Sequence, residues 1–280
     1  MMFSALLRQQ FVENAFIAGT LIAGVSAVVG YFVVLRAEAF AAHALSHIGF
    51  AGATLAALLG INPLLGMSGF TVIAGLGMGT LGKRIRGRDI EIGITLSFAL
   101  GLGVLFLRLY TSSASETVGV LFGSLLSVTR SGIVWTTVLG ALALSLLAVI
   151  GRPLLFASID PEGAQARGLP VKLLSVAFML LLAVTVAEAV QVVGVLLVFA
   201  LIVAPAAIAQ HVTRRPFSAM VLSAALGGVF VWGGLFLALA TRFPVSFYIS
   251  VIAAFTYFVV VGLVHMVRPH ARKSSAHRCR

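Results

Sequence analysis

Acidic residues are scarce in this chain: 8 Asp and Glu stand against 19 Lys and Arg in 280 residues, and charge of both signs amounts to only 10% of the sequence. A soluble domain of this size carries roughly a quarter charged residues, so a water-soluble enzyme is excluded. There is one cysteine, Cys279, which cannot close an internal disulfide and leaves the redox compartment undefined. The opening MMFSALLRQQFVEN lacks a short apolar core followed by a small-residue cleavage site, so no removable signal peptide is expected. Strict apolar–polar alternation is missing too, which excludes a transmembrane barrel.

Hydrophobic residues make up 60% of the chain, and there are 29 glycines besides. The apolar runs lie at about 15–35, 39–60, 63–82, 90–109, 132–151, 171–187, 190–210, 218–240 and 246–267. Each approaches the roughly 20 residues a spanning helix needs, and abundant glycine suits close helix packing in lipid. The expected fold is all-α, a polytopic membrane helix bundle of about eight or nine spanning helices. The stretch 171–210 is too long for one helix, and Glu188 and Gln191 mark the expected break. Three regions follow: an N-terminal end (1–10), a transmembrane domain (11–267) and a basic tail (268–280).

The net charge of +11 invites a nucleic-acid reading. Position argues against it, because the basic residues sit between apolar runs or after the last one. With nine segments, fifteen of the 19 fall on one side: Arg36, the loop Lys83 to Arg88, the loop Arg152 to Lys172, Arg214 and Arg215, and the tail. Only Arg8, Arg108, Arg130 and Arg242 fall on the other. The basic side is expected to be cytoplasmic, with the C-terminus inside and the tail near acidic lipid headgroups.

Candidate chemistry begins with His43 and His47 in AFAAHALSHIGFAGATLAALLG. A spacing of four stacks both imidazoles on one helix face, where they can ligate a divalent transition metal; hydrogen-bonded packing residues are the plainer alternative. Two ligands do not complete a zinc site, so water, another helix or a partner chain must contribute. Glu188 is a weaker candidate ligand, set against a wet residue at an outer turn. Asp89 and Glu91 open a helix and read as structural. In the loop RPLLFASIDPEGAQARGLPVK, Asp160 can cap a short helix with Pro161 at its first position, and Gly168 with Pro170 can end it. Such a helix suits docking to another protein or serves as a connector. In the opposite loop, the second half of 110–130 is expected to form a short helix that lies at the membrane surface or closes an outer vestibule.

Two lookalikes are set aside. GMGTLGKR has the spacing of a phosphate loop, but Arg84 stands where magnesium binding needs Ser or Thr. The string around Ser68 resembles an intramembrane serine protease, yet its candidate base, His265, lies near the other face. His270, His277 and Cys279 in the tail are a minor metal possibility.

Taken together, AFAAHALSHIGFAGATLAALLG, IGITLSFALGLGVLF with LFGSLLSVTR, and IDPEGAQARGLPVKLL running into LLLAVTVAEAVQVVGVLLVFALIVAPAAIA resemble the zinc- and manganese-type ABC transporter permeases. The likeness spans about 24–209. It implies a permease in a bacterial inner membrane, paired with a second copy, served by two ATP-binding cassette ATPase subunits and an extracytoplasmic metal-binding protein. No ATP hydrolysis and no resident cofactor are implied for this chain, whose cargo is zinc or manganese. The family's usual aspartate ahead of ALSH is His43 here, with His47 at the family's histidine. That exchange of oxygen for nitrogen favours zinc. The family's histidine and aspartate before the last span are missing from ATRFP, which has Ala240 and Arg242. The resemblance makes 159–172 the coupling helix, with Asp160, Glu162, Arg167 and Gly168 at the ATPase contact. An ATP-independent secondary transporter or channel is the alternative.

Overall fold

The computed structural model describes residues 9–80, 88–109, 125–241 and 243–267. Among the described residues ten α-helices follow one another: α1 (Gln10–Leu35), α2 (Ala39–Leu58), α3 (Pro63–Thr80), α4 (Arg88–Leu109), α5 (Arg130–Ile159), α6 (Pro161–Ala166), α7 (Val171–Val193), α8 (Val195–Val212), α9 (Pro216–Ala240) and α10 (Val245–Val267). All but α6 are long and apolar enough to cross a membrane, which gives nine candidate spans. The Lys83, Arg84 and Arg86 loop, most of the loop 110–130, Arg242 and the tail with His270, His277 and Cys279 lie outside the described residues.

Helix directions can be read from side-chain contacts. Asn14 donates to the Val128 carbonyl at 3.2 Å and Arg36 to the Ser158 hydroxyl at 3.3 Å, so α1 and α5 run parallel. Trp232 donates to Thr20 and Ser223 to the Ala27 carbonyl, at 2.8 and 3.0 Å, which sets α9 antiparallel to α1. Gly49 faces Thr71 while Gly52 faces Gly66, and Gly75 faces Ala183 while Gly79 faces Val176, so α2, α3 and α7 alternate. Arg36, α6 and the C-terminal end of α10 therefore gather at one end of the bundle.

Small residues make these approaches possible. A Cβ on Gly30 would strike the backbone of Ile202, and one on Gly52 or Gly66 would strike the facing helix's carbonyl. In lipid there is little hydrophobic force between helices, so such contacts carry the association. The share of each span buried within the chain is 67% for α1 and 72% for both α2 and α7, against 17%, 22% and 11% for α4, α5 and α10. The first three form the centre.

Two boundaries differ from expectation. The break between the sixth and seventh spans falls at Gly194, not at Glu188 or Gln191. Gly194 has φ +85° and ψ 159°, a region essentially restricted to glycine. Helix α5 does not stop at Gly151; it runs through Pro153 to Ile159. Proline removes one hydrogen bond, but Leu154 and Ala157 beyond it are buried and hold the last turns against the bundle.

Candidate functional site

His43 and His47 lie on the second and third turns of α2, their ring centroids 4.7 Å apart and nearly edge to face. Both are half-buried. The Nδ1 atom of each is buried with no hydrogen-bond partner among the described residues, a costly state for a polar atom unless something else binds there. Ser46 does not satisfy them, because its hydroxyl donates to the His43 carbonyl at 2.7 Å. Phe199 of α8 packs edge-on to His43, at 5.2 Å between centroids. Phe40, His43 and Phe199 line a hollow of about 260 Å3. Both phenylalanines stay more than a third exposed there.

No group of three or more His, Cys, Asp or Glu that could hold a metal occurs among the described residues. Glu188 therefore does not complete the histidine pair. Nor is it the wet residue at an outer turn: it is 3% exposed on α7, with neither carboxylate oxygen hydrogen-bonded among the described residues. Its Oε1 sits 3.7 Å from where a Cβ on Gly140 of α5 would lie. Ser68, near the start of α3, and position 265, near the end of α10, fall at opposite ends of the bundle by helix direction.

The loop after α5 folds as its residues dictate. Asp160 accepts a hydrogen bond from the Gly163 amide at 2.9 Å and Pro161 takes the first helical position. Gly168, at φ +79°, ends α6. Ala164 is fully buried and anchors the helix, while Asp160, Glu162, Arg167 and Gly168 are exposed. The Arg167 guanidinium stands over the Phe156 ring, 5.2 Å from its centroid.

One residue escaped sequence reasoning. Arg36, counted there as a charge setting topology, is 6% exposed. Its Nη2 contacts Glu38 Oε1 at 3.1 Å and donates to Ser175 at 2.8 Å, its Nη1 donates to Ser158, and its guanidinium stands 5.1 Å from the Phe178 ring centroid. Arg36 caps the C-terminus of α1 and Glu38 the N-terminus of α2, so each charge faces the favourable helix pole. Between them Ala37 adopts φ +56°. The Ala37 and Glu38 amides donate to the Val34 and Val33 carbonyls, a Schellman turn with alanine where glycine is usual. The charge pair Arg-x-Glu at a junction of two apolar runs was the available signal.

A helix bundle of this kind, with unpartnered imidazoles on a central span and a short capped helix at one end, is a polytopic membrane protein equipped for transport. Residues 8–264 match the ABC 3 transport family, and the chain belongs to that family as a transport permease. It is 30% identical over 255 residues, 91% of each chain, to a Listeria monocytogenes protein named manganese transport system membrane protein MntC. It is 31% identical over 268 residues, 95% of each chain, to the Streptococcus parasanguinis manganese import system permease protein ScaB. Among solved structures it is similar to PsaBC from Streptococcus pneumoniae in complex with Fab, with a TM-score of 0.82 and 29% identity over 92% of this chain and 94% of that one.

Proposed function

We propose that this chain is the membrane-spanning subunit of an ATP-driven importer of a divalent transition metal in a bacterial inner membrane. The observation that carries the reading is the His43–His47 pair, whose buried Nδ1 atoms lack partners on a span, in a chain whose relatives are named for manganese import. Two copies form the pathway. Phe40 and Phe199 at the rim of the histidine hollow face the second copy, and water or the other copy's imidazoles complete the metal's shell. Incomplete ligation suits transport, since a closed four-ligand site would retain its cargo.

ATP hydrolysis falls to separate ATPase subunits, which dock against α6 through Asp160, Glu162, Arg167 and Gly168. An extracytoplasmic metal-binding protein delivers the ion at the opposite end. The end holding Arg36, α6 and the end of α10 is cytoplasmic. Imidazole nitrogen in place of a carboxylate favours zinc over manganese, which prefers oxygen, so the preferred cargo is zinc with manganese accepted.

The test is metal accumulation in intact cells. His43→Leu with His47→Leu is expected to reduce it to background, and acidifying the medium to weaken binding, because a protonated imidazole offers no lone pair. Unchanged accumulation in the double variant overturns the site.

A further inference from the structure

The α1–α2 corner faces the flanks of the docking helix directly. Ser158 stands in the last turn of α5, two residues before the cap of α6, and Ser175 in the second turn of α7, just after it. Arg36 bonds both serines, at 3.3 and 2.8 Å, and closes on Glu38 at 3.1 Å. From Glu38 the chain enters α2 at once, and His43 and His47 follow within three turns. The corner has little slack: Ala37 is held in a left-handed conformation by two backbone hydrogen bonds, and Arg36, Glu38 and Ser175 are all buried.

We propose that Arg36 is a positioning residue that couples the docking helix to the histidine span, tying both flanks of α6 to the turn from which α2 departs. This rests on the ATP-driven reading above. A planar fork with several fixed donors can grip two serines and a carboxylate together. A lysine keeps the charge but reaches fewer partners in fixed directions. When α6 shifts, Ser158 and Ser175 move with it, and the fork carries the displacement to Glu38 and the first turns of α2. Without the fork, α6 can move while the imidazoles stay.

The experiment uses the complete transporter, this chain with its ATPase subunits and binding protein, in sealed vesicles. Zinc uptake and ATP hydrolysis are measured on the same preparation for wild type, Arg36→Lys, and Ser158→Ala with Ser175→Ala. The serine pair leaves the Arg36–Glu38 contact intact and carries the test if the lysine variant fails to assemble. The expected result is ATP hydrolysis close to wild type with zinc transported per ATP reduced roughly ten-fold, within the range for loss of a coupling contact. Unchanged zinc per ATP, or uptake and hydrolysis falling in proportion, overturns the coupling role and leaves a folding contact. Wild-type vesicles that accumulate zinc without ATP overturn the ATP-driven reading itself, a result separable from the variants' behaviour.

Discussion

At the scale of single residues, burial separates groups that composition treats alike. Glu188 and Glu38 are both 3% exposed carboxylates, but Glu38 is held by Arg36 while Glu188 has neither oxygen hydrogen-bonded among the described residues. A buried carboxylate without a partner is costly, so Glu188→Gln, nearly isosteric and uncharged, is expected to keep thermal stability within about 1 kcal/mol of wild type or raise it. Metal uptake by that variant is expected to persist. Its abolition would instead support a proton relay through Glu188 and the ATP-independent alternative. The sequence exposed the histidines because their spacing alone puts them on one face. It concealed Arg36, because counting charges at segment ends assigns every arginine there to the interface. The depth of Glu188 was hidden for the same reason: a carboxylate between two apolar runs reads as a mark of water, and only the three-helix packing around it shows otherwise.

At the scale of elements, glycine positions divide into those that allow helices to touch and those that do not. Gly66 presses on the backbone of Gly52, whereas nothing lies within 4 Å of a Cβ on Gly69 one turn further along α3. Gly66→Ala is therefore expected to destabilise the detergent-solubilised protein by about 1–3 kcal/mol and Gly69→Ala to leave its melting temperature unchanged or slightly raised. Equal effects would show that the α2–α3 approach is not set by backbone contact. Hydropathy located nearly every span, since the demand for about 20 apolar residues is local. The two misplaced ends had tertiary causes. The apolar run ends at 151, but Leu154 and Ala157 pack well enough to continue α5. Gly194, the true break, lay unmarked inside a continuous apolar run, where its backbone angles were the deciding feature. The capped helix α6 was legible because Asp160, Pro161 and Gly168 specify their own local geometry.

At the scale of the whole molecule, nine spans with alternating direction place the C-terminal end of α10 beside Arg36 and α6. Under the proposed orientation, Cys279, the single thiol, belongs to the cytoplasmic side. A membrane-impermeant maleimide is expected to leave it unlabelled in intact spheroplasts and to label it after permeabilisation; labelling without permeabilisation would invert the topology. The length of α5 has a further effect. Its 30 residues extend roughly 45 Å against a hydrocarbon layer of about 30 Å. The surplus is no free arm, because Leu154 and Ala157 pin it to the bundle; it acts as a stiff bracket that passes any push on α6 straight into the packed helices.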